Sequence, residues 1–248
     1  MKPLTADECN EFIRKQFPNN KKHMAETIIN KISASPSNSY SQLLNTPLLI
    51  ILCILNFKLN PDLPIKRSEF YSRIFDALFQ GHDWRSKNGF ERIHKCNLQK
   101  DDYISILGKF SFRTHFQSKY FFTKEEAISL FDIIKLGEKY NSNIQKINTA
   151  NLFDDLNVAI NILIADGCYY SFPHKSFQEF YVAMYVVKKS ESSRKKIYKK
   201  FIDKFFQAKG FLLTAPLLEM LYEMDQYLMM RHFIIPFTSV HLNPLTNL

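Results

Sequence analysis

Residues 169–183 read YYSFPHKSFQEFYVA, and this stretch predicts a short strand that leads directly into a helix. Its aromatic start, up to Phe172, follows an Asp-Gly pair that favours a turn. Pro173 ends the strand because it cannot donate a backbone hydrogen bond. The sequence therefore places His174 at the junction between the two elements.

The start of this helix carries the spacing of a capping box. A Ser176 hydroxyl and a Glu179 carboxylate can each satisfy a free amide at a helix N-terminus, so we expect the helix to begin at about Phe177. Apolar side chains then recur at spacings of three and four residues and give one buried face. These residues are Phe177, Phe180, Tyr181 and Met184.

His174 precedes this predicted cap and lies near the positive end of the helix dipole. A histidine between a strand and a helix commonly packs or hydrogen-bonds within the fold. A neutral imidazole beside free amides can also bind an anion such as a phosphate. The local sequence leaves both interpretations open.

Composition favours a globular, mainly helical protein. The chain has 248 residues, of which 46% are hydrophobic and 15% aromatic, with only six glycines. This is enough apolar mass for one large core or two to three small ones. Polar sequence after Met1 argues against a signal peptide. The most apolar run, residues 48–55, is shorter than the roughly 20 residues of a membrane-spanning helix, so we expect a buried core helix and no membrane span.

The cysteines are widely separated and none forms a C-x-x-C pair, so neither a zinc ribbon nor a disulfide framework is indicated. They are Cys9, Cys53, Cys96 and Cys168. His94 and Cys96 lie close together, but no second pair completes four zinc ligands, and we expect no metal site. A reducing, cytoplasmic location fits these features.

Positive charge is concentrated after the helix that is predicted to begin at about Phe177. The formal net charge of the chain is +9, and positions 188–204 hold eight Lys or Arg residues against two acidic ones. Ile197, Phe201 and Phe205 recur every four residues, which predicts an amphipathic helix with the basic residues on its outer face. That face is either simply solvated or contacts nucleic acid or an anionic membrane. The candidate nucleic-acid contacts are Lys188, Lys189, Arg194, Lys195, Lys196, Lys199 and Lys200.

Turn and capping signals divide the chain into three predicted domains. Two prolines within residues 60–64 resist both helix and central strand and mark the clearest boundary. The fold prediction is mainly α: a small helical bundle (1–62), a winged-helix domain with a short β-hairpin (63–188), and a further helical segment with a partly disordered tail (189–248). We expect the tail, residues 235–248, to be poorly ordered or to have lost a partner.

Further signals predict individual elements. Capping sequences predict helix starts after Thr5, Thr46 and Thr123. Residues 40–44 predict a short helical stretch, and residues 119–122 predict a short strand.

Two motifs stand in order along the chain: TPLL at Thr46–Leu49 and FPHKSFQEF at Phe172–Phe180. Between them lie LPIKRSEFY from position 63 and TKEEA from position 123. Over residues 4–188 this series resembles the C-terminal half of NACHT-type signal-transduction ATPases, the relatives of NOD-like receptors and of bacterial anti-phage NACHT proteins.

The resemblance implies specific roles. In that family a helical domain and a winged-helix domain cover a nucleotide bound to an ATPase core, which corresponds here to residues 4–60 and 65–188. Pro47 matches the proline that packs on the adenine ring. His174 matches the histidine that contacts the terminal phosphate of ADP and holds the closed, inactive state. Such a contact favours one nucleotide state over the other, which is what a switch requires.

The chain departs from that family in the catalytic core. No G-x-x-x-x-G-K-[ST] loop occurs in the sequence, and no apolar strand ends in paired acids to hold magnesium. Adjacent acids such as Asp101-Asp102 and Asp154-Asp155 diverge by about 100° around a helix, so they do not form a carboxylate dyad. We therefore expect no ATPase activity from this chain alone. ADP or ATP would bind only together with a P-loop domain, supplied in cis or in trans.

The leading functional hypothesis is a regulatory nucleotide lid and conformational switch of a NACHT-like ATPase in bacterial anti-phage defence. It would act in an oligomer of the full-length protein, or as one half of a split system. The competing hypothesis is a winged-helix nucleic-acid-binding protein that uses the basic helix after Lys188. A self-contained enzyme has little support, because no nucleophile, base and orienting group form a credible set.

Overall fold

A computed structural model describes residues 3–34, 44–64, 66–80, 93–138, 141–206 and 214–242. The chain packs into two compact units, Met1–Glu91 and Arg92–Leu248. The described residues between 63 and 80 therefore group with the first unit, whereas the sequence signals place a boundary after position 62. The prolines there end one helix, but the next helix packs back against it.

The first unit is a small helical bundle. Its helices are α1 (Ala6–Lys15), α2 (Lys22–Ser33), α3 (Pro47–Leu59) and α4 (Arg67–Phe79), with a 3₁₀ turn at Asn19–Lys21. α1 packs against α2 and α3, and α3 packs against α4. The helical stretch predicted around residues 40–44 lies outside the described residues, apart from Leu44.

Local capping signals place two of these helices. Thr5 and Glu8 form the predicted capping box of α1, with each side chain accepting from the backbone N–H of the other. The Thr46 hydroxyl accepts from the Leu49 amide at 3.4 Å, and Pro47 occupies the first turn of α3, where no intrahelical donor is needed. α3 is buried at most of its positions, so the prediction of an apolar core helix is confirmed.

The second unit begins with four helices and a hairpin. The helices are α5 (Lys100–Phe116), α6 (Lys124–Leu136), α7 (Ser142–Lys146) and α8 (Thr149–Asp154), the last continuing as a π turn over Asp155–Ala159. Strands β1 (Ile164–Asp166) and β2 (Tyr169–Ser171) pair antiparallel, with Ile164 opposite Ser171. Gly167 adopts a positive φ of 60° in the turn, a conformation that glycine tolerates best.

The strand predicted over residues 119–122 is reduced to one bridge. The Phe122 and Tyr170 backbones exchange hydrogen bonds of 2.9 and 2.7 Å, which adds Phe122 to the hairpin beside β2. The sequence of elements is thus helix, bridging residue, helices and hairpin, the order expected of a winged helix. The prediction of a mainly α fold with a short β-hairpin is confirmed.

Four further helices complete this unit: α9 (Lys175–Val187), α10 (Glu191–Phe206), α11 (Ala215–Met229) and α12 (Ile235–Leu242), with a π turn over Met230–Ile234 joining the last two. α9 is the central helix, because it packs against α5, α10 and α11. Eight consecutive residues of α9, positions 176–183, are buried. These two turns of the helix are therefore enclosed on all sides, although the sequence pattern predicted one buried face.

The C-terminal segment corrects two predictions. Part of the tail expected to be poorly ordered, Ile235–Leu242, is helical, while positions 243–248 lie outside the described residues. On α10 the buried residues are Tyr198, Phe201 and Ile202, whereas Phe205 is 43% exposed. A strict spacing of four residues drifts by about 40° per step around a helix, so the predicted row ending at Phe205 leaves the buried face.

Candidate functional site

His174 is the N-cap of α9. Its backbone is extended (φ −149°, ψ 147°), and its Nδ1 accepts a hydrogen bond from the Ser176 amide at 3.3 Å. The Ser176 hydroxyl also lies 2.6 Å from Nδ1. The helix therefore begins at Lys175, about two residues earlier than predicted, and the histidine itself performs the capping that the sequence pattern assigned to Ser176.

The hydrogen bond to Nδ1 determines which nitrogen of the neutral His174 ring carries the proton. A backbone N–H can only donate, so Nδ1 is the acceptor and the neutral ring carries its proton on Nε2. Burial, with a further contribution from the charge of Lys175, lowers the pKa of His174 below its usual value. The ring is consequently neutral at neutral pH and presents Nε2–H as a hydrogen-bond donor at the positive end of α9.

Lys175, the next residue, is held by other groups. Its Nζ lies 4.9 Å from the centre of the Tyr120 ring and 3.8 Å from Glu179 Oε1. An anion that meets the start of α9 would therefore find His174 Nε2–H as the donor, with the helix dipole and the Lys175 charge nearby. The arrangement is suited to binding a negative oxygen.

The other polar residues of the motif, Gln178 and Glu179, are buried and form hydrogen bonds within the core. The buried Gln178 amide donates to Thr114 Oγ1 at 2.8 Å and to the Lys119 carbonyl at 3.0 Å. Glu179 is 2% exposed and accepts from Thr214 Oγ1 at 2.8 Å, which ties α9 to the start of α11. Glu179 is thus engaged with Thr214 and does not reach back to form the predicted capping box.

Pro47 lies in the first turn of α3 and is partly exposed. It belongs to the unit Met1–Glu91, whereas His174 belongs to Arg92–Leu248. A nucleotide site shared by these two residues stays a prediction.

The candidate nucleic-acid contacts separate into three groups. Four lysines of α10 are exposed and recur at spacings that align them along the outer face of the helix. They are Lys195, Lys196, Lys199 and Lys200. Arg194 is not part of this face, because its Nη1 lies 2.7 Å from Oδ1 of the buried Asp225. Lys188 and Lys189 lie at the end of α9, where Lys189 Nζ sits 4.2 Å from the centre of the Tyr185 ring.

The adjacent acids Asp154 and Asp155 differ in burial and in most of their partners. Asp154 pairs with Lys95 at 2.7 Å on the surface. Asp155 is 1% exposed and accepts from the amides of Lys95 and Cys96 at 2.7 and 2.9 Å, and from the Tyr103 hydroxyl at 2.7 Å. Sequence reasoning missed this anchor, because its donors lie more than fifty residues away.

Within the described residues, no group of three or more His, Cys, Asp or Glu side chains is placed to hold a metal ion. No helix of the described chain combines the length and apolarity that crossing a membrane requires. Neither a family model nor a curated protein matches this sequence.

Proposed function

We propose that the chain is a regulatory nucleotide lid of a NACHT-like signal-transduction ATPase. His174 is its phosphate sensor, and Pro47 packs on the adenine ring. The observation that carries the proposal is the state of the His174 ring: neutral, anchored through Nδ1 and presenting Nε2–H beside the N-terminus of α9. The motifs around both residues, with their resemblance to this family, supply the class of ligand.

In this proposal the nucleotide is held by a P-loop domain, and the lid reads its phosphates. A hydrogen bond from Nε2 to the terminal phosphate of ADP would favour the closed state. ATP places a different group at that position, and the difference in affinity between the two states drives opening. The imidazole is pre-positioned by Ser176, so little ordering is needed when the phosphate arrives. Opening would expose surfaces for oligomerisation in anti-phage signalling.

The test separates capping from phosphate binding with two variants. His174→Asp keeps a good N-cap residue but replaces the donor by a negative charge, whereas His174→Ala removes both. Each is combined with a NACHT-type P-loop domain loaded with fluorescent ADP, and ADP release is followed by stopped flow. A hydrogen bond to a charged group contributes about 1.5–3 kcal/mol, so both variants should release ADP about 10- to 100-fold faster.

Thermal melting of the two variants provides the control. His174→Asp should melt close to the wild type, while His174→Ala should be destabilised by about 1 kcal/mol through loss of the cap. If His174→Asp retains ADP as well as the wild type does, His174 is only a cap and the sensor assignment fails.

A second candidate function, nucleic-acid binding, is favoured by the exposed lysine row of α10. Neutralising several phosphates makes affinity fall steeply with salt. Replacing Lys195, Lys196, Lys199 and Lys200 by Gln should abolish duplex DNA binding and its salt dependence. Replacing the exposed Lys21 and Lys22 by Gln should not. If the chain does not bind duplex DNA at low salt, it is not a nucleic-acid-binding protein of this kind.

A further inference from the structure

A small cavity of about 190 Å³ lies between α5 and the C-terminal half of α9. Three lysines line it: Lys109 from α5, and Lys188 and Lys189 from the end of α9. Ser105 and Tyr185 contribute a hydroxyl and an aromatic ring. This concentration of positively charged residues around one partly open cavity distinguishes it from a surface of scattered lysines.

Gly108 brings the two helices close enough to form this space. A Cβ at position 108 would lie 3.2 Å from the Tyr185 Cβ and 3.4 Å from the Tyr181 carbonyl oxygen. A larger residue would therefore force the helices apart. The close approach places Lys109 opposite Lys189, although the two residues are far apart in sequence.

The charges in the cavity are only partly balanced. Lys109 contacts Glu138, and both side chains are largely buried. Despite that contact, burial and the nearby charge of Lys189 lower the pKa of Lys109. Lys189 is held over the Tyr185 ring, and no acidic side chain in the described part of the chain pairs with Lys188 or Lys189. Of the three lysines that line the cavity, Lys109 is therefore the one with a carboxylate partner among the described residues.

Helix geometry offers one simpler role for two of these lysines. Cations at a helix C-terminus are favoured by the helix dipole, and Lys188 and Lys189 follow the last residues of α9. That role does not account for Lys109, which comes from the middle of another helix. It also does not account for a cavity that all three lysines line.

We infer that this cavity is a binding site for a compact phosphate-type anion of the size of inorganic phosphate or diphosphate. The volume is below the roughly 300–1,000 Å³ of sites for drug-sized ligands, which favours a small anion. Lysine ammonium groups are common phosphate partners, and the Ser105 hydroxyl supplies a neutral donor. The ligand would relieve the repulsion between Lys109 and Lys189.

This site is separate from His174. α9 contains 13 residues, which at about 1.5 Å per residue spans roughly 20 Å between its two ends. His174 caps one end and Lys188 the other. An anion in the cavity is therefore a second ligand, and its binding can be tested independently of any nucleotide at His174.

The test uses the full chain and titrates it with inorganic phosphate and with diphosphate by calorimetry at low salt. At least one probe should bind with a Kd of ~1 mM or tighter. The double variant Lys188→Glu and Lys189→Glu should weaken that binding at least tenfold. The matched control, Lys199→Glu and Lys200→Glu, makes the same change of charge on the exposed face of α10 and should leave it unchanged.

Glu138→Gln sharpens the test, because it removes the carboxylate that competes with the anion for Lys109. It should tighten binding several-fold while circular dichroism shows a folded protein. The inference is overturned if neither probe binds with a Kd of ~1 mM or tighter, if the α10 control weakens binding as much as the cavity variant does, or if Glu138→Gln fails to tighten it.

Discussion

Replacing Asp155 by Ala should detach the segment before α5 from the body of the second unit. The Asp155 carboxylate accepts three hydrogen bonds, from the amides of Lys95 and Cys96 and from the Tyr103 hydroxyl. A hydrogen bond to a charged group contributes about 1.5–3 kcal/mol. The two amides are only partly buried and can regain water, whereas Tyr103 is fully buried. We therefore expect a loss of about 3–4 kcal/mol, less than the sum of three bonds.

Native-state hydrogen exchange measures the loss of local stability directly at the Lys95 and Cys96 amides. Removing about 3 kcal/mol of local stability should accelerate exchange of the Lys95 and Cys96 amides about 100-fold. Tyr103→Phe, which removes one donor and leaves the carboxylate, should cost about 1.5–3 kcal/mol. The double variant of Asp155 and Tyr103 should then cost less than the two single changes added together, because the residues interact directly.

The neighbouring residue supplies a matched control. Asp154 makes exposed ion pairs with Lys95 and Lys124, and such pairs contribute about 0–1 kcal/mol. Asp154→Ala should leave both amides protected. If Asp155→Ala exchanges no faster than Asp154→Ala, the carboxylate does not anchor the segment and the reasoning fails.

Two further predictions concern buried polar groups of the same unit. Burial, aided by the charge of Lys175, lowers the pKa of His115 to about 4. Between pH ~6.5 and ~4 the unfolded chain binds a proton that the folded chain does not, so the free energy of unfolding should fall by about 3 kcal/mol as the pH drops through this window. Urea unfolding of His115→Phe should show a shallower fall, and an unchanged slope would contradict the assignment. Asp225→Ala should cost about 3 kcal/mol or more in thermal melting, because Tyr198 and Arg194 both donate to this buried carboxylate. The exposed Asp203→Ala is its control, and equal melting of the two variants would count against a structural role for Asp225.

Local signals predicted those parts of the fold that depend on neighbouring residues. The capping box at Thr123 and Glu126 formed as expected, with bonds of 3.2 and 2.9 Å between residues three positions apart. The same spacing at Ser176 and Glu179 did not form one. There the surrounding helices enclose α9, and a partner 35 residues away, Thr214, engages the carboxylate. The same spacing of a hydroxyl residue and a glutamate therefore gives a capping box at the surface, whereas in the buried helix the glutamate bonds to a distant partner.

The sequence pattern could not identify the buried acids Asp155 and Asp225, because their roles also depend on distant partners. Asp155 and Asp225 each interrupt an apolar helical pattern, and each lies where the helix is irregular. Asp155 begins a π turn, and Asp225 has non-helical backbone angles inside α11. Their tyrosine partners are 52 and 27 positions away in sequence. Such a pair becomes visible only when the fold brings its two helices together.

Some polar residues of the stretch that forms α9 pack in the core, and others lie at the surface. Gln178 and Glu179 form hydrogen bonds to α5, to the loop after it and to the start of α11. Substitutions at these two positions should therefore unfold the unit before they affect the binding of a ligand. Only the ends of α9 present polar groups outward: His174 at the first end, and Lys188 with Lys189 at the last. A substitution that alters binding without altering stability should therefore lie at one of these ends. This separation makes the two proposed anion sites distinguishable from the core that holds them.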